Sequence, residues 1–195
     1  MKRVLFGLAI GASAIAMAGC AGSDKSATAA TAAPSAMAAS ASGGGSTKAA
    51  ATLAAKSGTN TAGRVTFDQQ SGGVLVGVLV TGLAPGSVHG FHVHEKGDCS
   101  APDGMSAGGH FNPGGKPHGQ MTGGGDHHAG DMNNLTADAS GNARVQFLMP
   151  AVTVAPGANS VVGKAVIVHK DPDDYRTQPT GNAGGRIACG VIAAS

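Results

Sequence analysis

At 195 residues with a formal charge of +2, the chain is sized for one domain plus extensions, and it has no basic run of the kind that binds nucleic acid. With 33 Gly, no Trp, one Tyr and five Phe, any core must come from Val, Ile, Leu and Ala. That composition suits short strands and glycine-rich loops better than a helical bundle.

Residues 1–19 carry the marks of an export signal: Lys2 and Arg3, an apolar run from Val4 to Met17, then the small residues Ala18 and Gly19. The run is short for a membrane-spanning helix, which needs ~20 apolar residues. Met17-Ala18-Gly19-Cys20 resembles a bacterial lipobox, with Met17 where Leu is usual, and implies lipidation of Cys20. An ordinary signal peptide with a stray cysteine is the alternative. Ala21 lacks the aspartate associated with inner-membrane retention, so the expectation is a periplasmic protein anchored by lipid to the outer membrane. Residues 20–46 are Ala, Ser, Thr and Gly with few large side chains, too little apolar surface to offset the entropy of ordering. They read as a flexible tether. Pro34 and Gly43-Gly44-Gly45 argue against an Ala-rich helix there.

The domain is expected over 47–195. Apolar alternation bounded by turn residues predicts strands at 48–56, 61–69, 73–81, 87–94, 134–138, 142–149, 163–169 and 186–192. In the sixth, Val145, Phe147 and Met149 share one face, and Arg144 and Gln146 the other. Short strands with no convincing helix imply an all-β antiparallel sandwich or barrel. The long irregular segment 95–133 marks a functional loop.

Phe91-His92-Val93-His94 has strand period, so Phe91 and Val93 are expected to face the core while His92 and His94 form an outward pair. Two imidazoles on a rigid strand make half of a site for copper or zinc, although such a pair alone could equally be two solvated side chains. Further histidines follow at His110, His118, His127, His128 and His169, with Asp131 close behind His128.

GFHVHEKGDC (90–99), GGHFNP (108–113), His128 to Asp131, VIVHKDPDDY (166–175) and GNAGGRIACGVI (181–192) occur together and in order. In this they resemble the copper-zinc superoxide dismutases of bacteria, over about the last three quarters of the chain. The resemblance implies a flattened eight-stranded Greek-key β-barrel, which belongs with the immunoglobulin-like sandwiches. It implies copper on His92, His94, His110 and His169, and zinc on His110, His118, His128 and Asp131, so that His110 is shared. The family's spacing, histidine three residues before aspartate, selects His128 over His127. His127 and His89 are left as solvated or structural.

The same resemblance implies a Cys99–Cys189 disulfide, Asp173 as a carboxylate between His92 and His118, Arg186 as the anion-attracting arginine and Thr180 as a channel wall. Asp174 beside Asp173 leaves that assignment open to its neighbour. The implied reaction is disproportionation of superoxide to dioxygen and hydrogen peroxide by a redox-cycling copper bridged to a structural zinc. Protons are expected partly through His110. The implied partners are superoxide and a membrane through the lipid anchor; bacterial members of the family occur in more than one oligomeric state, so a homodimer stays open as one alternative. Metal carriage without catalysis is the rival. Its signs would be a lost ligand, a lost arginine or a CxxC motif, and the sequence shows none of them.

Overall fold

Apolar–polar alternation from Lys48 to Thr81 produces β1 (Lys48–Ala55), β2 (Ala62–Gln70) and β3 (Gly73–Thr81). Val65 and Phe67 of β2 lie opposite Val78 and Val76 of β3, and all four are buried. This computed structural model describes residues 47–195, so the export signal, Cys20 and the tether lie outside the described residues. No helix among the described residues is long and apolar enough to cross a membrane.

The rest of the chain supplies β4 (Val88–His89), β5 (Phe91–His94), β6 (Leu135–Thr136), β7 (Ala143–Met149), β8 (Ala165–His169), β9 (Arg186–Val191) and β10 (Ala193–Ala194). All pairings between strands are antiparallel. The main sheet runs β5-β8-β9-β1-β2-β3-β7, with β10 added beside β1. A ribbon of β4 and β6 spans its two ends: β6 lies against β7, and β4 runs directly into β5. The result is the curled all-β barrel expected, with sequence-distant strands as neighbours in the Greek-key manner.

Two details differ from the reading of the sequence. The segment 87–94 is two strands with different partners, broken at Gly90. Gly90 N–H donates to Asp171 O at 2.9 Å and Gly90 O accepts from His169 N–H at 2.8 Å, so the loop after β8 occupies the break. A Cβ there would lie 2.7 Å from that of Ala183, which only glycine avoids. In β7, Met149 is buried and Phe147 half-buried, but Val145 is 39% exposed. Strand β7 ends the hydrogen-bonded path, so its neighbours cover it only in part.

One apolar cluster fills the barrel, rich in Val and completed by Phe67, Phe91, Met132, Met149 and Ile192. Burying each such side chain contributes about 1.5–3 kcal/mol. A smaller cluster of Ala107, Ala165, Ile167 and Cys189 lies apart, with Cys99 against it. Strands β5 and β8 are therefore buried on both faces: one lines the barrel, the other is roofed by loops.

Candidate metal centre

His92 and His94 do point away from the barrel core, but not into solvent. Both are fully buried, because the loop between β5 and β6 docks on the outer edge of β5. His94 bridges to His110 and His92 to Asp131, and between them Val93 N–H donates to Gly130 O while Phe111 N–H donates to Val93 O. Gly130 permits this approach, since a Cβ there would strike the Val93 carbonyl. A short ₃₁₀ turn (Met105–Ala107) and the Cys99–Cys189 disulfide, Cα atoms 5.7 Å apart, pin the start of the loop to β9.

The fold gathers two groups of four side chains. His92, His94, His110 and His169 each offer an atom within 4.8 Å of the others, and so do His110, His118, His128 and Asp131. All are buried, and His110 belongs to both. His127 stays outside: it is half-buried and its Nδ1–H donates to His128 O at 2.7 Å.

Hydrogen bonds decide which nitrogen of each ring remains free. His94 Nδ1 donates to Gly108 O at 2.9 Å and His169 Nδ1 to Gly184 O at 3.2 Å. Their Nε2 atoms then face each other at 3.3 Å as two lone pairs, an arrangement that a cation would relieve. His92 Nε2 bonds Asp173 Oδ2 at 2.7 Å and His118 Nε2 bonds Asp173 Oδ1 at 3.0 Å, so one carboxylate orients a ring of each group. His110 Nδ1 lies 2.8 Å from Asp131 Oδ1 and 3.4 Å from His128 Nδ1.

Among the described residues, three buried ring nitrogens have no hydrogen-bond partner: His92 Nδ1, His110 Nε2 and His118 Nδ1. His118 Nδ1 does stand 3.0 Å from Asp131 Oδ2, but without hydrogen-bond geometry. A buried ring nitrogen without a hydrogen-bond partner is costly, and all three belong to the two groups, so the residues fit bound metal. The first group is all imidazole, a donor set suited to copper, while the second adds a carboxylate and suits zinc in a closed tetrahedral site.

Charge separates the groups as well. Burial, helped by the neighbouring His92, lowers the His110 pKa to about 4 although Asp131 opposes it. Burial likewise lowers His169 to about 3 and holds His94 well below its ordinary value, so these imidazoles are neutral at pH 7. At His118 burial also works downward, but Asp131 and Asp173 overcome it and raise the pKa to about 9. Burial likewise disfavours ionisation of both aspartates, yet their imidazole partners hold Asp131 and Asp173 below the carboxylate range.

Arg186, which in isolation could have been a surface strand residue, is only 8% exposed. Its guanidinium donates from Nη1 to Gly104 O at 2.8 Å and from Nη2 to Gly108 O at 2.6 Å, two carbonyls of the disulfide-pinned loop. Asp173, not Asp174, is the carboxylate on the rings; Asp174 is exposed and bonds Thr177. Gly181 lies beneath it, where a Cβ would overlap Asp173 Oδ1 and stand 2.6 Å from His118 Nε2. Thr180 is half-buried and adjoins this glycine. His89, set aside from the sequence, is buried and bonds His169 O at 2.8 Å and Ser87 Oγ at 2.7 Å, supporting a ligand's backbone. Nothing in its spacing announced this, because the partner is a carbonyl distant in sequence.

Comparison with known proteins places these features in context. A family model described as copper/zinc superoxide dismutase matches residues 61–192. Two curated proteins of Aquifex aeolicus (strain VF5), superoxide dismutase [Cu-Zn] 2 and superoxide dismutase [Cu-Zn] 1, are each 46% identical over 134 residues. Those alignments cover 67% of this chain and 78% and 79% of the relatives. Among solved structures, the clock protein EA4 superposes with a TM-score of 0.69 at 39% identity, over 77% of this chain and 96% of that one. A SOD-like protein from Bacillus subtilis superposes with a TM-score of 0.66 at 37% identity, over 72% of this chain and 95% of that one.

Proposed function

The chain belongs to the copper/zinc superoxide dismutase family, and from that premise we propose how its residues divide the work. The enzyme disproportionates superoxide to dioxygen and hydrogen peroxide and takes copper and zinc as cofactors. His92, His94, His110 and His169 hold copper; His110, His118, His128 and Asp131 hold zinc. The observation that carries this is the pair of buried four-ligand groups sharing His110, with orphaned nitrogens at three of their rings. When bound, copper supplies a one-electron redox centre and zinc a fixed positive charge.

The side chains around the metals perform the remaining tasks. Gly108 O and Gly184 O fix the tautomers of His94 and His169 so that each offers Nε2. Asp173 does the same for His92 and His118, each offering Nδ1. His110 offers Nε2 to the first group and Nδ1 to the second, and its Nε2 is where the chain can hold a proton destined for peroxide. Arg186 carries more N–H donors than its two carbonyl contacts engage, and the spare donors receive the superoxide anion. Thr180 narrows the approach beside it.

Residues 1–19 direct export to the periplasm, and lipid on Cys20 anchors the domain to the outer membrane through the tether 20–46. The signal-like pattern of residues 1–20 supports this, as does the Cys99–Cys189 disulfide, which belongs to oxidising compartments. The deciding experiment reconstitutes the purified chain with copper and zinc, counts both metals and follows superoxide decay beside a copper-free control. Rapid copper-dependent decay with one of each metal per chain is expected. Full metal content with decay at the control rate would leave a metal carrier. Labelling of the cell-expressed chain by fatty acid, lost in Cys20→Ala, tests the anchor.

A further inference from the structure

Two of the four side chains assigned to zinc have their backbone secured from β5, and a third is tied to one of these. His110 and Asp131 bridge to His94 and His92, and Asp131 N–H donates to His128 O at 3.1 Å one turn earlier. His118 has no such support. It lies in the middle of the turn-rich loop, and its backbone is held by a single side chain from elsewhere. Gln178 Oε1 accepts the His118 N–H at 2.8 Å and Gln178 Nε2 donates to His118 O at 2.9 Å.

The loop that provides Gln178 also provides Asp173, and a second amide holds it in a mirrored way. Asn134, just past Asp131, accepts the Asp173 N–H on Oδ1 at 2.9 Å and donates from Nδ2 to Asp173 O at 2.9 Å. Tyr175 Oη in turn accepts the Asn134 N–H at 2.8 Å. Each loop thus sends one amide into the residue of the other loop that meets the rings. An amide that engages both the N–H and the C=O of one residue fixes its height and its rotation, as a rung of an antiparallel ladder does. The two clamps and the Asp173–His118 contact close a circuit through Asp131, Asn134, Asp173 and His118.

We infer that Gln178 and Asn134 are positioning residues for the zinc lobe: Gln178 sets where His118 Nδ1 points, and Asn134 sets the Asp173 carboxylate that orients both His118 and His92. The inference rests on the assignment of His118 as a zinc ligand. The roles are separable. Loss of the Gln178 clamp disturbs only His118, whereas loss of the Asn134 clamp disturbs a ring of each group.

The test uses the holoenzyme loaded with copper and zinc and measures the rate at which zinc passes to an excess of a colorimetric chelator, together with the copper electron paramagnetic resonance spectrum. Gln178→Met, at an exposed position that tolerates the change, is expected to release zinc about tenfold faster, as for other outer-shell partners of a metal histidine, with an unchanged copper spectrum. Gln178→Glu, which retains the acceptor for the His118 N–H, is expected to fall between Gln178→Met and wild type. Asn134→Leu is expected both to hasten zinc release and to shift the copper spectrum. A purely structural contact would lower the melting temperature and leave zinc release at the wild-type rate. That result in Gln178→Met overturns the inference, whether or not Asn134→Leu folds. Failure of the wild-type protein to take up zinc would instead overturn the ligand assignment.

Discussion

The two halves of the metal centre are built by different means. His92, His94 and His169 sit on β5 and at the end of β8, where the pairing of Phe91 with Val168, His92 with Ile167 and Val93 with Val166 sets their positions. His118, His128 and Asp131 belong to a loop whose shape depends on hydrogen bonds from side chains and on the edge of β5. The strand-borne imidazoles are neutral because burial keeps them so. The loop-borne His118 is protonated at neutral pH because two carboxylates hold its charge. One half is therefore ready for a metal before any arrives, and the other holds an imidazolium between two carboxylates, from which zinc must displace a proton.

The largest test of that contrast removes one ligand from each half. His94→Ala is expected to abolish copper-dependent superoxide decay while zinc content stays at one per chain. Asp131→Asn is expected to lose zinc yet keep copper bound at His92, His94 and His169. Metal analysis of both variants beside their decay rates decides it. Equal loss of both metals from both variants would mean that the halves form one cooperative unit.

Arg186 lies on the strand side but depends on the loop, so it sharpens the comparison. Arg186→Ile is expected to lower kcat/KM by about tenfold to a hundredfold, the scale of electrostatic guidance of a small anion, and to flatten its salt dependence. Cys99→Ser frees the loop that presents Gly104 O and Gly108 O, and should lower kcat/KM less than the arginine change does. Urea unfolding of the same variant should show a stability loss of about 2–5 kcal/mol. A cysteine variant with full stability would mean that the loop is held without its disulfide.

How much of this was legible in the sequence follows the same division. The strand period exposed the pairing of His92 with His94, and the family's spacing to Asp131 separated His128 from His127. Both are local patterns, which a sequence can display. Where the reading stopped, the cause was long-range packing. The break at Gly90 comes from the Asp171 loop entering it, and the burial of both faces of β5 comes from a loop docking back on it. Arg186 is buried by carbonyls, which have no residue-type signature. Gln178, Asn134 and His89 also act on backbone groups far away in sequence, so their residue types carried no signal.

The dependence on pH gives the next test, smaller in effect and opposite in sign for the two halves. In the metal-free protein, the raised pKa of His118 stabilises the fold fully below its unfolded value of ~6.5, and that contribution is lost as pH rises through about 9. The depressed His110 and His169 act in reverse. The unfolded chain takes up protons below ~6.5 that the folded one refuses, so stability falls as pH drops towards about 4 and about 3. For metal binding, zinc affinity should rise about tenfold per pH unit up to about 9, the pKa of the proton it displaces. In zinc-free protein, where copper needs His110 only as a neutral ring, copper affinity should stay flat from about pH 6 to 8. Competition with chelators across that range measures both. Parallel slopes would break the distinction.

The smallest expected effect concerns His127, beside a zinc residue but excluded from the cluster. Its Nδ1–H donates to His128 O, and the ring is half-buried rather than sealed. A single neutral hydrogen bond of this kind contributes about 0.5–1.5 kcal/mol, and less where water can replace the donor. The His128 backbone has stronger restraints: its N–H donates to Asp131 Oδ2 at 2.8 Å and its C=O also accepts the Asp131 N–H. His127→Ala should therefore leave zinc content at one per chain and the release rate near that of wild type. Loss of zinc in that variant would show that the loop half draws on a fifth side chain and that the spacing to Asp131 selected the wrong histidine.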